Sequence, residues 1–173
     1  LRRQRQMCIR DRVDSEDHLY VTDEFILTHN TYCAVAAAAK KLFDGEIERI
    51  ILSKPKLEID EDWGALPGGL DQKIEPYLWS LRDALDEILG RNHVNGMIKA
   101  ERIVIRPVGL IRGLTFHDSV AILDEAQNTT QNQIKAFLTR IGRGTTLVIN
   151  GDPTQKDLRT DSGLLWAADK LYR

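Results

Sequence analysis

Short runs of aliphatic and β-branched residues recur along the chain, and segments with helical spacing of apolar positions separate them. The runs predict strands at 48–53, 102–106, 119–123 and 145–149, with a further short run at 25–27. They lack the polar alternation of a sheet that has one solvated face, so the pattern indicates strands buried on both faces.

Four helices are predicted between and after these strands. The first, 31–43, is apolar nearly all round as far as Lys40, which predicts a buried helix ended by Gly45. A second begins near Pro76 and ends at Gly90, after a long loop over 56–75. A third begins at the capping-box pattern of Thr130 and Gln133 and ends at Gly142. A fourth begins at Ser162. Residues 91–100 are ambiguous.

Strands that alternate with helices predict an α/β fold with three layers, in which a mostly parallel sheet is covered on both faces. The length of 173 residues suits one domain, and no apolar run is long enough to cross a membrane. Cys8 and Cys33 are expected to be free thiols, which favours a cytoplasmic location. Residues 1–12 hold five arginines, which suggests either a nucleic-acid arm or a non-native segment. We favour the latter, and treat 1–24 as non-native or disordered and 25–173 as the folded domain.

The strongest chemical signal is a pair of acids, Asp124 and Glu125, directly after the apolar run 119–123. Ligands bind outside the carboxyl ends of strands in open α/β sheets. One carboxylate there can hold Mg²⁺, and the next can polarise an attacking water. The alternative is a strand end with solvated acids.

A second signal is the loop 151–155, with the sequence Gly-Asp-Pro-Thr-Gln, after the run 145–149. Gln155 on such a loop can form a hydrogen bond with a terminal phosphate or with a catalytic water. The alternative is an ordinary turn formed by Asp152 and the proline that follows it. The spacing of this loop from Asp124 resembles the phosphate-sensing loop of superfamily 1 helicases.

Several ordered motifs together resemble the PhoH family. They are LDEAQNTTQNQIKAFLTRIG, GDPTQKDL, LSKPKLE, LPGGLDQKIEPYLWSLRDAL and IRGLT, and they lie between Thr31 and Gly163. The resemblance implies a RecA-like P-loop NTPase core that binds ATP with Mg²⁺. It also implies an ATPase that acts on RNA and assembles into homo-oligomeric rings. The chain resembles a core that is truncated at both ends.

Residue roles follow from the resemblance by position. Asp124 corresponds to the magnesium-associated Walker B acid, Glu125 to the general base and Gln155 to the γ-phosphate sensor. Thr31 falls at the magnesium-binding position, and Asn30 and Asp152 are expected to be among the residues that bind the nucleotide. Lys54 and Arg112 are candidates for contacts with nucleic acid, and Arg140 for a phosphate or subunit contact; for these three, a solvated surface charge is the alternative.

The phosphate-binding loop departs from the family pattern. G-x-x-x-x-G-K-[ST] needs glycines for backbone approach to the phosphates and a lysine to reach them. This chain has Glu24 and His29 at the glycine positions and Asn30 at the lysine position, and only Thr31 matches. Two explanations are open: a sequence error, which the abrupt edge of the resemblance favours, or an evolved pseudo-ATPase that binds RNA or assembles without hydrolysis. In both cases we predict that this chain hydrolyses ATP poorly or not at all.

Overall fold

The computed structural model describes six parts of the chain. They are residues 20–21, 27–28, 30–55, 70–111, 113–158 and 161–171. Among the sites predicted above, Glu24, His29 and Arg112 lie outside these parts, and Asn30 is described by its backbone alone.

The centre of the fold is a four-stranded sheet in which every strand is parallel to its neighbours. Two short strands, β1 (Tyr20–Val21) and β2 (Leu27–Thr28), pair with each other outside it. The sheet contains β3 (Arg49–Lys54), β4 (Ile103–Pro107), β5 (Ser119–Leu123) and β6 (Thr146–Ile149), in the order β4-β3-β5-β6. Every residue of β5 is buried, as the unbroken apolar run predicted.

Helices cover both faces of the sheet. α1 (Asn30–Phe43), α2 (Leu70–Leu89) and α3 (Arg91–Lys99) pack on one face, and α4 (Gln131–Leu138) and α5 (Gly163–Leu171) on the other. Consecutive strand residues alternate between the two cores, since strand side chains have a period of two. The core beside α1 receives Ile50, Leu52, Val120 and Ile122, and the core beside α4 receives Ile51, Ala121 and Leu123. The predicted three-layer α/β architecture is confirmed.

Several predicted helix boundaries differ from the structure. α2 begins at Leu70, so Pro76 lies in its interior and not near its start, and residues 70–75 of the predicted loop are helical. The ambiguous segment 91–100 is mostly helix α3. α4 ends at Leu138 and not at Gly142, because Ile141 leaves the helix to form an isolated bridge with Phe116.

Helix α1 is buried on one face only, which corrects the prediction of a helix buried all round. Val35, Ala38 and Leu42 are buried in the core, whereas Ala37 is exposed and Phe43 is 66% exposed. The small apolar side chain of Ala37 tolerates solvent, so the composition overstated the burial of this helix.

The strand that precedes α1 lies outside the parallel sheet. β2 pairs antiparallel with β1, with Val21 opposite Leu27. The predicted run 25–27 therefore contributes Leu27 to a two-stranded pair, and the remainder of that run lies outside the described residues. Within the described ranges, no helix is both long and apolar enough to cross a membrane.

Candidate functional site

Three neighbouring strands end at one edge of the sheet, and each is followed by a polar side chain. β3 ends with Lys54, β5 is followed by Asp124 and β6 by Asn150. Backbone hydrogen bonds hold these ends in register, with Asp124 N donating to Ser53 O at 2.9 Å and Asn150 N donating to Leu123 O at 2.9 Å. Parallel pairing therefore gathers side chains that are far apart in the sequence.

Asp124 is the centre of this group, and its side chain is only 3% exposed. Its Oδ1 accepts hydrogen bonds from Thr31 Oγ1 at 2.7 Å and from Asn150 Nδ2 at 2.8 Å. The same Asn150 nitrogen lies 3.2 Å from Thr31 Oγ1. A buried carboxylate is tolerated only when hydrogen bonds replace its lost hydration. The three residues therefore form one unit that joins the start of α1 to the ends of β5 and β6.

Lys54 lies beside this unit and faces two carboxylates. Its Nζ is 3.8 Å from Asp124 Oδ2 and 3.8 Å from Glu125 Oε1, and it donates a hydrogen bond to Ser80 Oγ at 3.2 Å. Its side chain is 15% exposed. Lys54 is therefore a partly buried cation that lies beside two acids. Its predicted contact with nucleic acid stays a prediction.

Glu125 has a left-handed backbone, with φ 52° and ψ 38°. This conformation is strained for a residue with a side chain, and such strain is concentrated at functional sites. It begins the 3₁₀ turn Ala126–Asn128 and brings the carboxylates of Asp124 and Glu125 to the same ammonium group of Lys54. Glu125 is the more accessible of the two acids, with a side chain 41% exposed.

Gln127 connects Glu125 to the loop after β6. Its Nε2 donates to Glu125 Oε2 at 2.6 Å, and its Oε1 accepts from Asp152 N at 3.1 Å. The side chain is buried, with 1% of the residue exposed. The position of the 151–155 loop is therefore coupled to the orientation of Glu125.

Within that loop, Asp152 organises its own turn. Asp152 Oδ1 accepts from Thr154 N at 2.8 Å and from Thr154 Oγ1 at 2.7 Å, which is the local pattern of an Asp-Pro turn. Gln155 is exposed, and its Nε2 donates to Asp152 Oδ2 at 3.2 Å. Among the described residues, Gln155 is thus joined to the site through Asp152 and Gln127, and it forms no direct hydrogen bond with Asp124.

Two residues of the site were missed at the sequence level. Asn150 directly follows β6, the strand next to β5, so the rule that ligand-binding residues follow neighbouring parallel strands could have found it. Gln127 belonged to the motif that begins with the two acids, but no role was predicted for it, because its link between two loops is evident only from tertiary contacts. Arg140 keeps its Nε buried without a hydrogen-bond partner among the described residues, and its predicted contact stays a prediction.

The donor set at Asp124 fits Mg²⁺. It offers a hydroxyl oxygen and carboxylate oxygens, which are the ligands that this hard cation prefers, with the remaining positions filled by water and phosphate. Among the described residues, no cluster of three or more His, Cys, Asp or Glu side chains forms a metal cage. Helix α1 has 14 residues and begins at Asn30, so its N-terminal dipole favours an anion next to Thr31.

Comparison with known proteins gives a consistent set of matches. The profile described as PhoH-like protein matches residues 27–173. A PhoH-like protein of Bacillus subtilis is 45% identical over 146 residues, which cover 83% of this chain and 46% of that protein. Protein PhoH of Escherichia coli K12 is 39% identical over 148 residues, which cover 84% of this chain and 42% of that protein. A PhoH-like protein of Mycobacterium tuberculosis H37Rv is 44% identical over 146 residues, which cover 83% of this chain and 42% of that protein. The chain spans less than half the length of these relatives.

Proposed function

Because this chain belongs to the PhoH-like protein family, we propose that its converging strand ends form the magnesium side of an ATP-binding site. The observation that carries the proposal is the 2.7 Å hydrogen bond between Thr31 and Asp124, which are 93 positions apart. A hydroxyl at the start of a helix and an acid at the end of a strand are the two groups that hold Mg²⁺ in P-loop NTPases.

Each residue of the site has a role in this proposal. Thr31 and Asp124 hold Mg²⁺, directly or through water, and Asn150 fixes the carboxylate of Asp124. The ion, when bound, neutralises charge on the phosphate oxygens. Glu125 is accessible enough to orient and polarise a water that attacks the terminal phosphate. Gln155 senses that phosphate, and Gln127 transmits its state to Glu125.

Hydrolysis by this chain is proposed to be weak. Asn30 carries no charge where the family pattern has lysine, and Glu24 adds a negative charge near the expected phosphates. Loss of one cation from a desolvated phosphate contact costs about 2–5 kcal/mol. The helix dipole of α1 and the Mg²⁺ ligands remain, so we expect weak binding of Mg·ATP with little turnover.

The test is nucleotide binding that depends on magnesium. Mg·ATP should raise the melting temperature of the chain, since a ligand that binds only the folded state stabilises it. Thr31→Val and Asp124→Asn should remove that shift, and Thr139→Val at the exposed end of α4 should retain it. An equal shift in all four proteins, or one that persists when Mg²⁺ is chelated, would exclude the proposed site.

A further inference from the structure

Lys54 occupies a position that the proposed site leaves without a function. It extends from the carboxyl end of β3, the strand next to β5, and its Nζ is equidistant from Asp124 Oδ2 and Glu125 Oε1 at 3.8 Å. Its side chain is partly buried, with 15% exposed. This partly buried ammonium group faces both the proposed metal-binding acid and the proposed general base, at the strand ends where the proposed function places a phosphate.

The distances show that neither carboxylate holds the ammonium group tightly. A charge-assisted hydrogen bond spans about 2.7–2.9 Å between heavy atoms, whereas both acids are 3.8 Å away. Lys54 Nζ donates a hydrogen bond to Ser80 Oγ on α2, at 3.2 Å. An ammonium group has three donors. Ser80 therefore positions Lys54 while leaving donors that can reach a ligand oxygen.

The formal charges lead to the same conclusion. Asp124 and Glu125 carry two negative charges, so one Mg²⁺ would only neutralise them. With Lys54 included, the metal-loaded site has a net positive charge and attracts a triphosphate. Position 30, where the family pattern places lysine, holds a neutral asparagine. Among the described residues, Lys54 can supply the cation that position 30 lacks.

We propose that Lys54 is the phosphate-contacting cation of this site and binds the terminal phosphate from β3 in place of a lysine on α1. This inference rests on the proposed function, since it assumes a nucleotide at the strand ends. It makes Lys54 a ligand of the nucleotide, and it assigns to Ser80 the role of positioning it.

The inference predicts opposite effects on metal and on nucleotide. Lys54 repels a divalent cation that approaches Asp124 and Glu125, so its removal should strengthen binding of the metal alone. The same removal should weaken binding of Mg·ATP, because the terminal phosphate loses its cation. Damage to the fold would weaken both, so the two measurements together separate a phosphate contact from a structural ion pair.

The experiment compares the chain with its Lys54→Met, Lys54→Arg and Ser80→Ala variants, and with Lys99→Met as an exposed lysine control. Mn²⁺ binding is measured by electron paramagnetic resonance, and Mg·ATP and Mg·ADP binding by calorimetry. Lys54→Met should weaken Mg·ATP by about tenfold or more, weaken Mg·ADP less and bind Mn²⁺ more tightly. Lys54→Arg should keep the parent chain's preference for Mg·ATP over Mg·ADP, and Ser80→Ala should lose part of that preference. Lys99→Met should bind all three ligands as the parent chain does.

Four outcomes would overturn the inference. Unchanged Mg·ATP affinity in a folded Lys54→Met variant rejects Lys54 as the phosphate contact and leaves the proposed function intact. Loss of RNA binding in that variant, with ATP binding intact, also rejects this role for Lys54. If Lys54→Met binds Mn²⁺, Mg·ADP and Mg·ATP all more weakly and to the same extent, Lys54 has a structural role only. No Mg·ATP binding by the parent chain contradicts both the inference and the proposed function.

Discussion

Asn150 donates a hydrogen bond to Asp124 Oδ1 at 2.8 Å, across two neighbouring strand ends. The asparagine thereby fixes the carboxylate whose other oxygen faces Lys54. Because Asp124 is 3% exposed, its hydrogen bonds replace the hydration it has lost. The end of β6 therefore sets the geometry of the acid at the end of β5.

Asn150→Asp should make the stability of the fold depend on divalent cations. The substitution places a second carboxylate 2.8 Å from Asp124 Oδ1, where two negative charges repel each other. We expect a loss of about 1–3 kcal/mol in the free energy of unfolding without divalent cations, largely restored by Mg²⁺. Thermal melts with and without Mg²⁺ measure this. Asn150→Ala is the matched variant, because it loses the hydrogen-bond donor without adding charge. Mg²⁺ should restore less of its lost stability than of the stability lost by Asn150→Asp.

Gly151→Ala should disturb Glu125 from a distance. A Cβ at Gly151 would lie 2.6 Å from Gln127 Oε1 and 3.0 Å from Ala126 N, so Gln127 must move. Its hydrogen bonds to Glu125 and to Asp152 N would then be lost or distorted. We expect a destabilisation of about 1–3 kcal/mol, measured by denaturant unfolding.

Gly109→Ala is the control for this prediction, because a Cβ there meets no atom within 4 Å. It should leave the free energy of unfolding nearly unchanged. If the two variants unfold at the same denaturant concentration, Gln127 does not hold the two loops together.

The capping box of α4 should contribute measurably to stability. Thr130 Oγ1 accepts from Gln133 N at 3.3 Å, and Gln133 Oε1 accepts from Thr130 N at 2.8 Å. Thr130→Ala should reduce the free energy of unfolding by about 1 kcal/mol, and Thr130→Ser should retain most of it. Chemical denaturation measures both. An alanine variant as stable as the serine variant would show that packing of Ile134 and Phe137 alone holds this helix in place.

The sequence predicted those features that depend on local pattern. Unbroken apolar runs identified the strands of the parallel sheet, and the Thr130–Gln133 spacing identified the capping box, which is confirmed. Asp124 could be singled out because an acid directly after a buried strand lies at the sheet edge where ligands bind. These inferences needed only neighbouring residues in the chain.

Features that depend on tertiary contacts were not predictable in the same way. Strand periodicity assigns a side chain to a face of the sheet, but it does not show that Lys54 and Asp124 meet at the edge. Ile141 matched the helical spacing of α4, yet it pairs with Phe116 in the structure. Pro76 was expected near the start of a helix because proline favours that position, but the helix begins earlier.

The most direct test restores the phosphate-binding loop with three substitutions, Glu24→Gly, His29→Gly and Asn30→Lys, which recreate G-x-x-x-x-G-K-T before α1. Phosphate release from ATP is then measured for the parent chain, the triple variant, and the triple variant with Glu125→Gln. We predict negligible turnover in the parent, magnesium-dependent turnover in the triple variant, and its loss with Glu125→Gln. A folded triple variant that neither binds nor hydrolyses Mg·ATP, or whose turnover does not depend on Glu125, would contradict the assignment of this site.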